Sequence, residues 1–416
     1  MTSRRRSTLA LVACAGVASL MLGGCGTDDD SGGSGSAASG GKTLTVYVSL
    51  PFQGAGKTRS EDMLKGAELA LKQANGTAGQ FKIKLKSLDN STAQAGQWEA
   101  GATSAAARKA IEDDSTIAYL GELNSGATAI SLPLLNEAGI LQVSASNTAV
   151  GLTRSEGAEP GEPDKYYPTG ARTFGRVVPA DHLQAAASAQ YMKDNGCSSV
   201  YITHDNEVYG EGLAKQLQMI APTKGVEVKG FDGIEKTAPN YRSLAGGVVS
   251  SGASCFYFGG ITANNAVQLY KDMNAANPDM KLFGPDGVGD ADFTENLTPG
   301  IEKQLYVTLP TLPPEQYPPA GQEVFKEIRK AKGGSDPDAY ALYAYEAMNA
   351  ILLAIENAGD NGDDRQAVID AFFSIKDRDS VLGTYSIDEN GDTTLKSYGG
   401  FRVNDGAFTF DKVIEV

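Results

Sequence analysis

Short runs of β-branched and aromatic residues alternate with longer amphipathic stretches from residue 42 to residue 308. Apolar runs bounded by Gly, Pro, Asn or Asp predict strands, and the stretches between them have the helical period. This alternation is typical of parallel sheets covered by helices on both faces. The predicted strands are residues 44–48, 82–88, 117–120, 140–144, 173–178, 200–204, 226–231, 255–258, 281–283 and 305–308. This number of strands predicts two sheets, and therefore an α/β fold with two doubly wound parallel-sheet lobes.

The helical stretches have recognisable ends. In the first helix, Ser60 is predicted as the N-cap, acidic residues follow it at the positive end of the helix dipole, and an Asn-Gly pair at residues 75–76 ends the helix. A proline-rich segment at residues 309–314 suits a crossing between lobes, because it is stiff and cannot continue a helix. Helices are predicted after it over residues 321–332, 338–358 and 365–373.

Composition agrees with two folded lobes and excludes several classes of protein. The chain has 416 residues, which is too long for one ordinary domain and suits two lobes of under ~200 residues. Hydrophobic residues make up 41% and charged residues 21%, which excludes a disordered chain and a coiled coil. The net charge of −15 excludes the basic surface that a nucleic-acid-binding protein needs. With two histidines and no CxxC or HExxH motif, the sequence predicts no metal site.

The N-terminus has the pattern of an export leader. Three arginines at residues 4–6 precede an apolar run at residues 9–22 that is too short to span a bilayer, which predicts a signal peptide over residues 1–24. Residues 22–25 (LGGC) resemble the lipobox of bacterial lipoproteins, and this resemblance implies that Cys25 is lipidated and becomes the new N-terminus. The alternative is a secretory leader with an incidental cysteine. The arginines are compatible with export by either the Sec or the Tat route.

Residues 25–41 are rich in glycine and serine and are predicted to be a flexible tether. Acyl chains on Cys25 would hold the folded lobes at the outer face of the cytoplasmic membrane without a transmembrane helix. The predicted contact with the membrane is therefore through the lipid anchor only.

Three motifs suggest catalytic chemistry that their context does not support. Residues 56–58 (GKT) resemble the end of a phosphate-binding loop, but Pro51 stands where that loop needs its first glycine. Residues 287–289 (GVG) lack the third glycine of a dinucleotide fingerprint. His204 and Asp205 could belong to a hydrolase triad, but no GxSxG motif accompanies them. We therefore predict that the protein is not an enzyme and has no cofactor.

Alternating residues at 383–387 and 393–396 flank an Asn-Gly pair at 390–391, which predicts a β-hairpin. Asp388, Asn390 and Asp392 around this turn offer oxygen atoms that calcium could bind. The spacing and the closing Glu of an EF-hand are absent, so calcium is the less favoured interpretation.

Polar residues follow several predicted strands, at the edge where doubly wound sheets bind ligands. Ser125 follows one strand and can cap the next helix, and Ser146 and Thr148 follow the neighbouring strand. Hydroxyl groups and helix N–H groups together suit a carboxylate, although Ser125 alone could be a plain N-cap. In the second lobe, Tyr209 and Asp286 follow strands in the same way, and a carboxylate there suits an ammonium group.

Three segments carry a resemblance to a known family. Residues 119–153, 204–214 (HDNEVYGEGLA) and 283–288 (FGPDGV) resemble the Leu/Ile/Val-binding proteins, which are type I periplasmic binding proteins. The resemblance extends from about residue 42 to the end. It implies a substrate-binding lipoprotein that captures an amino acid between two lobes and delivers it to the permease subunits of an ABC importer. The alternative is a sensor that presents its ligand to a membrane receptor.

The same resemblance implies roles for individual residues. Ser125 and Thr148 would bind the α-carboxylate of the ligand, with main-chain support at Ser146. Tyr209 and Asp286 would hold the α-ammonium from the other lobe.

Three departures from the family pattern affect the ligand. Asp286 stands where the family commonly has Glu, and Ile261 lies in a loop where the leucine binders have an aromatic ring. Arg59 falls near the aromatic wall of the first lobe. We therefore expect the zwitterion site to be kept and the side-chain pocket, including Arg59 and Ile261, to be altered.

The expected domain organisation is two lobes joined by three crossings, near residues 179–180, 310 and 397–400. Lobe 1 is predicted to comprise residues 42–179 and 311–398, and lobe 2 residues 180–310 and 399–416.

Cys197 and Cys255 remain in the folded part, each at or just before the start of a strand of lobe 2. An exported protein can form a disulfide, and neighbouring strands could bring the two residues together. Aligning the segments by their glycines sets Cys255 against Ser199, an offset that could exceed the roughly 7 Å limit on the Cα distance. A bridge and two separate buried thiols both remain possible.

Overall fold

A computed structural model of the chain describes residues 41–416, and these contain two large sheets. The predicted signal peptide (1–24), Cys25 and the predicted tether up to residue 40 lie outside the described residues. Within residues 41–416, no helix combines the length and the apolar character needed to cross a membrane.

The strands are β1 (Thr43–Leu50), β2 (Thr77–Ala78), β3 (Phe81–Asp89), β4 (Ser91–Thr92), β5 (Gln97–Trp98), β6 (Thr116–Gly121), β7 (Leu141–Ser144), β8 (Phe174–Arg176), β9 (Ser199–His204), β10 (Glu227–Gly233), β11 (Cys255–Gly259), β12 (Lys281–Gly284), β13 (Leu305–Leu309), β14 (Arg378–Ser380), β15 (Gly383–Tyr385), β16 (Ser397–Asn404) and β17 (Ala407–Glu415).

The α-helices are α1 (Lys57–Gln73), α2 (Ala100–Ile111), α3 (Ser125–Glu137), α4 (Asp181–Asp194), α5 (Val208–Ile220), α6 (Arg242–Ser250), α7 (Ala266–Ala276), α8 (Ala291–Thr294), α9 (Pro299–Gln304), α10 (Pro319–Ala331), α11 (Tyr340–Asn357) and α12 (Arg365–Phe373).

The first sheet has the strand order β2-β3-β1-β6-β7-β8, and all its pairs are parallel except the edge pair β2–β3. Every residue of β6 is buried, and so is every residue of β1 after Thr43. Continuous burial is expected of a parallel strand with helices on both faces. The carboxyl ends of β6 and β7 therefore lie side by side.

The second sheet has the order β10-β9-β11-β12-β13-β16-β17. Strands β9 to β13 pair in parallel, and β16 and β17 are added antiparallel at one side. Apolar clusters cover both of its faces. Both sheets have the predicted α/β architecture, so the sequence-based fold class is confirmed.

One local prediction is wrong, and a second, the β-hairpin about residues 390–391, is confirmed only in part. Helix α1 begins at Lys57, with Gly56 as its N-cap, so Ser60 is a buried residue inside the helix and not its cap. A short 3₁₀ turn at Gly54–Gly56 leads directly into α1 and starts the helix one turn early. Near the C-terminus, β15 pairs with β14, and only a single bridge, between Ile387 and Thr393, spans the Asn-Gly turn.

The chain passes between the two sheets at three places. It leaves the first sheet after β8 and enters α4, which packs on the second core. After β13 it returns to α10, α11 and α12, which pack on the first core, and β16 then joins the second sheet. The proposed limits of the lobes, 42–179 with 311–398 and 180–310 with 399–416, are consistent with this path and stay a prediction.

Cys197 and Cys255 are joined by a disulfide in the structure. Strands β9 and β11 are neighbours, and Cys255 pairs with Val200, one residue beyond the glycine-based alignment. The Cα atoms of the two cysteines are nevertheless 5.9 Å apart, within the reach of a disulfide. The backbone geometry therefore favours the bridge over two separate thiols.

We predict that a chain spanning residues 41–416, which contains no other cysteine, has no free thiol when it is unfolded without reductant. The bridge closes a loop with a sequence separation of 58 residues, so reduction should lower the free energy of unfolding by about 2–4 kcal/mol. Thiol counting in denaturant and urea unfolding with and without reductant measure both effects. Two free thiols per chain would contradict the prediction.

Candidate functional site

A small cavity lies between the carboxyl-end loops of the two sheets. Four of the five predicted binding residues line it, and both residues of the predicted side-chain pocket do so as well. These residues are Ser125, Ser146, Tyr209 and Asp286, with Arg59 and Ile261. The fifth, Thr148, is buried and does not line the cavity.

The β6–α3 loop brings Ser125 to the cavity. Ser125 is the first residue of α3, and Asn124 is the N-cap, so the capping role that the sequence indicated for Ser125 is wrong. The Oγ of Ser125 accepts a hydrogen bond from the Ala149 N–H at 3.3 Å. The hydroxyl therefore lies at the start of a helix, where free N–H groups and the helix dipole favour a negative charge.

The loop after β7 forms the adjacent wall. Ser146 Oγ donates to the Leu123 carbonyl at 3.0 Å, and Asn147 Nδ2 donates to the same oxygen at 3.0 Å. These two bonds hold the β6–α3 loop and the β7 loop together. The Oγ1 of Thr148 is buried and has no partner among the described residues.

Asp286 lies on the opposite side, after β12 of the second sheet. The Tyr209 hydroxyl donates to its Oδ1 at 2.6 Å, and the Tyr340 hydroxyl donates to its Oδ2 at 2.7 Å. Tyr209 also accepts the Gly287 N–H at 3.1 Å. Tyr340 begins α11, which packs on the first core, so the carboxylate is bound from both sides of the cleft.

The sequence-based prediction missed Tyr340. It begins an almost continuously apolar helix, and nothing in that pattern separates it from the core residues that follow.

Asp181 is the second residue that the sequence analysis missed. It is the first residue of α4 and is fully buried. Its carboxylate lies near the Thr148 hydroxyl, but neither oxygen accepts a hydrogen bond of good geometry in the part of the chain that the structure describes. Burial raises the pKa of Asp181 to about 8, and the nearby charge of Asp286 adds to the rise. An acidic residue in the first turn of a helix is common, because it interacts favourably with the dipole, so its position in the sequence gave no sign of a binding role.

Arg59 connects the two sides of the cleft. Its Nε donates to Asp338 at 2.9 Å, and its Nη2 donates to the carbonyl of Gly289, beyond β12, at 2.7 Å. The guanidinium carbon lies 5.1 Å from the centre of the Tyr340 ring. Burial opposes the charge of Arg59, but the attractions of Asp338 and Asp290 outweigh it and raise the pKa. Arg59 is therefore a fixed cation in the wall of the cavity.

Glu122 supports the loop that carries Ser125. Its carboxylate is fully buried and accepts hydrogen bonds from Asn90 at 2.6 Å and from Tyr119 at 2.8 Å. Its main-chain carbonyl accepts the Ser144 hydroxyl at 3.0 Å. Burial raises the pKa of Glu122 to about 7. Side chain and main chain of this residue thus hold the β6–α3 loop in place.

The other motifs have structural roles in the described residues. His204 packs against Phe231 with ring centres 4.9 Å apart. Asp205 accepts the main-chain N–H groups of Glu207 and Ile261, so these neighbours do not form a triad.

The acidic side chains of the turn near the C-terminus form ion pairs with arginines of the protein. Asp388 and Asp392 pair with Arg154, and Asp392 pairs with Arg176 as well. Residues 41–416 contain no cluster of three or more side chains suited to hold a metal ion. The calcium interpretation of this turn is therefore not favoured.

Comparisons with known proteins agree with this architecture. A sequence model of the family described as periplasmic binding protein matches residues 43–407. Leu/Ile/Val-binding protein homolog 1 of Brucella melitensis is 26% identical over 88% of this chain and 91% of its own length. An amino acid binding protein of Pseudomonas aeruginosa is 25% identical over 85% of this chain and 88% of its own. A leucine-binding protein of Thermotoga maritima superposes with a TM-score of 0.77 at 22% identity, covering 89% of this chain and 99% of its own.

We predict that Glu122→Gln stabilises the protein at pH 8. The pKa of Glu122 is raised, so its protonation favours the folded state at low pH and this contribution is lost as the pH rises from about 4.5 to 7. The variant should gain about 3 kcal/mol at pH 8 and little at pH 4.5. Ser49 Oγ, which lies beside Glu122, and Asn90 Oδ1, after a flip of its amide, can accept from the new amide.

Urea unfolding at the two pH values measures this difference, and Glu112→Gln at the exposed end of α2 is the matched control. Comparison of the variant with the wild type removes the contribution of Asp181, which also titrates above its usual range. An equal effect of Glu122→Gln at both pH values would contradict the prediction.

Proposed function

This chain belongs to the periplasmic binding protein family, and from that premise we propose that it captures an amino acid or a related small zwitterion and delivers it to an ABC importer. Members of the family bind their substrates and do not transform them, and the fold is the one that the sequence predicted. The proposal about the ligand rests on the side chains of the cleft together with the relatives named above.

The observation that carries the proposal is a pair of neighbouring buried carboxylates, Asp286 in the cavity wall and Asp181 behind it. A buried charge without a partner costs several kcal/mol, so the site favours either a proton or a cation at this position. Asp286 lies close enough to raise the pKa of Asp181. A ligand ammonium group between the two carboxylates would offset both negative charges.

The carboxylate of the ligand would bind on the side of the first sheet. Ser125 offers a hydroxyl at the start of α3, and Thr148 offers a buried hydroxyl that has no partner among the described residues. We propose that these groups bind the carboxylate, with the Ser146 main chain beside them. Each hydrogen bond to a charged group contributes roughly 1.5–3 kcal/mol.

The two ends of the ligand would contact groups that follow strands of different sheets, and this couples binding to closure of the cleft. Ser125 follows a strand of the first sheet, and Asp286 follows a strand of the second. Only a closed cleft brings both sets of groups to one small molecule, so the ligand stabilises that form by its differential affinity. The permease would then recognise the closed lobes.

We propose further that the protein is exported and held at the outer face of the cytoplasmic membrane by acyl chains on Cys25. The leader pattern of residues 1–24 and the LGGC sequence at residues 22–25 support this part of the proposal. A single lipid-modified terminus followed by a Gly/Ser-rich tether would leave the lobes free to close.

Replacement of either carboxylate should weaken binding. We expect Asp286→Asn and Asp181→Asn each to reduce the affinity for an amino acid by about 1.5–3 kcal/mol, because each variant removes one charged partner of the ammonium. The ligand for this experiment is the amino acid that most raises the melting temperature in a screen of all twenty, since a bound ligand stabilises the folded state. Calorimetry on refolded, ligand-free protein gives the affinities.

Asp114→Asn is the matched control, because Asp114 is exposed and precedes β6, at the edge of the sheet opposite the carboxyl-end loops. Unchanged affinity in both cleft variants would contradict the assignment of the ammonium site. A screen in which no amino acid raises the melting temperature would contradict the proposed ligand class.

The anchor is tested separately. We expect Cys25→Ala to release the protein from membranes without changing its melting temperature, because the predicted tether separates residue 25 from the folded residues 41–416. Membrane fractionation of cells that express either form measures the change. If the variant stays in the membrane fraction, the lipidation proposal is wrong.

A further inference from the structure

Beside the ligand cavity lies a second, small space that shares part of its wall, which we name the side-chain cavity. It shares Arg59, Leu123 and Ile261 with the cavity beside Asp286, and it extends to Gln97 and Trp98 of β5. An amino acid whose ammonium lies at Asp286 would place its side chain here.

A chain of two amides fixes the orientation of Gln97. The buried carboxylate of Asp205 can only accept when ionised, and it accepts from Asn264 Nδ2 at 2.8 Å. The Oδ1 of Asn264 is therefore left for Gln97 Nε2, which donates to it at 3.4 Å. The remaining Oε1 of Gln97 is buried and has no partner among the described residues. The side-chain cavity is thus lined by a residue whose acceptor oxygen has no donor among the described residues.

The charges around the side-chain cavity disfavour a second carboxylate on the ligand. Arg59 is already paired with Asp338. Asp290, which also lines the cavity, accepts from Thr262 Oγ1 at 2.7 Å and from the Phe293 N–H at 2.9 Å. The two aspartates outnumber the single guanidinium, so a carboxylate side chain would meet a net negative charge.

We infer that the side chain of the ligand ends in an N–H donor, as a carboxamide or an ammonium group does, and that Gln97 recognises it. This inference rests on the proposed function, since it places the ligand by its zwitterion. An aliphatic side chain would leave Oε1 of Gln97 unpaired, and a buried polar group that loses its partner costs more than an added contact gains. Trp98 and Ile261 would pack against the apolar part of the side chain.

Calorimetry with four L-amino acids tests the inference on refolded, ligand-free protein. Glutamine and glutamate have the same shape and differ in the terminal donor, lysine has an ammonium, and leucine is aliphatic. We expect glutamine or lysine to bind at least tenfold more tightly than both leucine and glutamate. Gln97→Met, which keeps the length of the side chain and removes the acceptor, should reduce that ratio at least tenfold.

Gln366→Met, on the exposed face of α12, is the matched control and should leave the ratio unchanged. Melting curves of both variants establish that they are folded. Tightest binding of leucine or glutamate would overturn the inference and leave the proposed amino-acid function intact. A ratio that is unchanged in folded Gln97→Met would overturn the role of Gln97, and failure of every amino acid to bind would contradict the proposed function and the inference with it.

Discussion

Removal of carboxylates from water is the constraint on which the cleft depends. Asp181 is fully buried with both oxygens unpaired among the described residues, and its pKa rises to about 8. An ionised group in such a place is stable only when a cation replaces the lost water. Near neutral pH the free site therefore tends to bind a proton, and an ammonium group would take the place of that proton. If Asp181 binds the ligand as we propose, its burial would make the site selective for a positive charge.

The polar groups in and behind the cavity wall divide into those with hydrogen-bond partners and those without partners among the described residues. Both oxygens of Asp286 accept tyrosine hydroxyls, and Ser146 donates to a main-chain carbonyl. Thr148 Oγ1 and both oxygens of Asp181 have no partner in the described residues. The groups with partners hold the loops of the two sheets in position. A ligand that supplied partners to the remaining groups would gain binding free energy from those hydrogen bonds.

Helix packing far from the cleft determines part of its chemistry. Helices α1 and α11 pack against each other so closely that a Cβ at Gly66 would overlap with the carbonyl of Ala341. This contact brings Arg59, near the start of α1, beside Tyr340, the first residue of α11. A substitution that separates the two helices would therefore move both a charge and a hydrogen-bond donor within the cleft.

Local patterns were sufficient for the fold and for the residues that follow strands. Continuous apolar runs mark the strands. Parallel strands bring their carboxyl ends to one edge, so the sequence alone assigns Ser125, Ser146, Tyr209 and Asp286 to a cleft, and all four line the cavity. The sequence could not assign Asp181 and Tyr340 to the cleft. Each is the first residue of a helix, where an acidic or aromatic residue is common. Their importance arises from burial and from neighbours distant in the sequence. The amino-acid sequence by itself therefore determined the elements and their order, whereas only the tertiary structure decided which polar groups lack partners, because hydrogen-bond satisfaction depends on contacts between segments that no local pattern records.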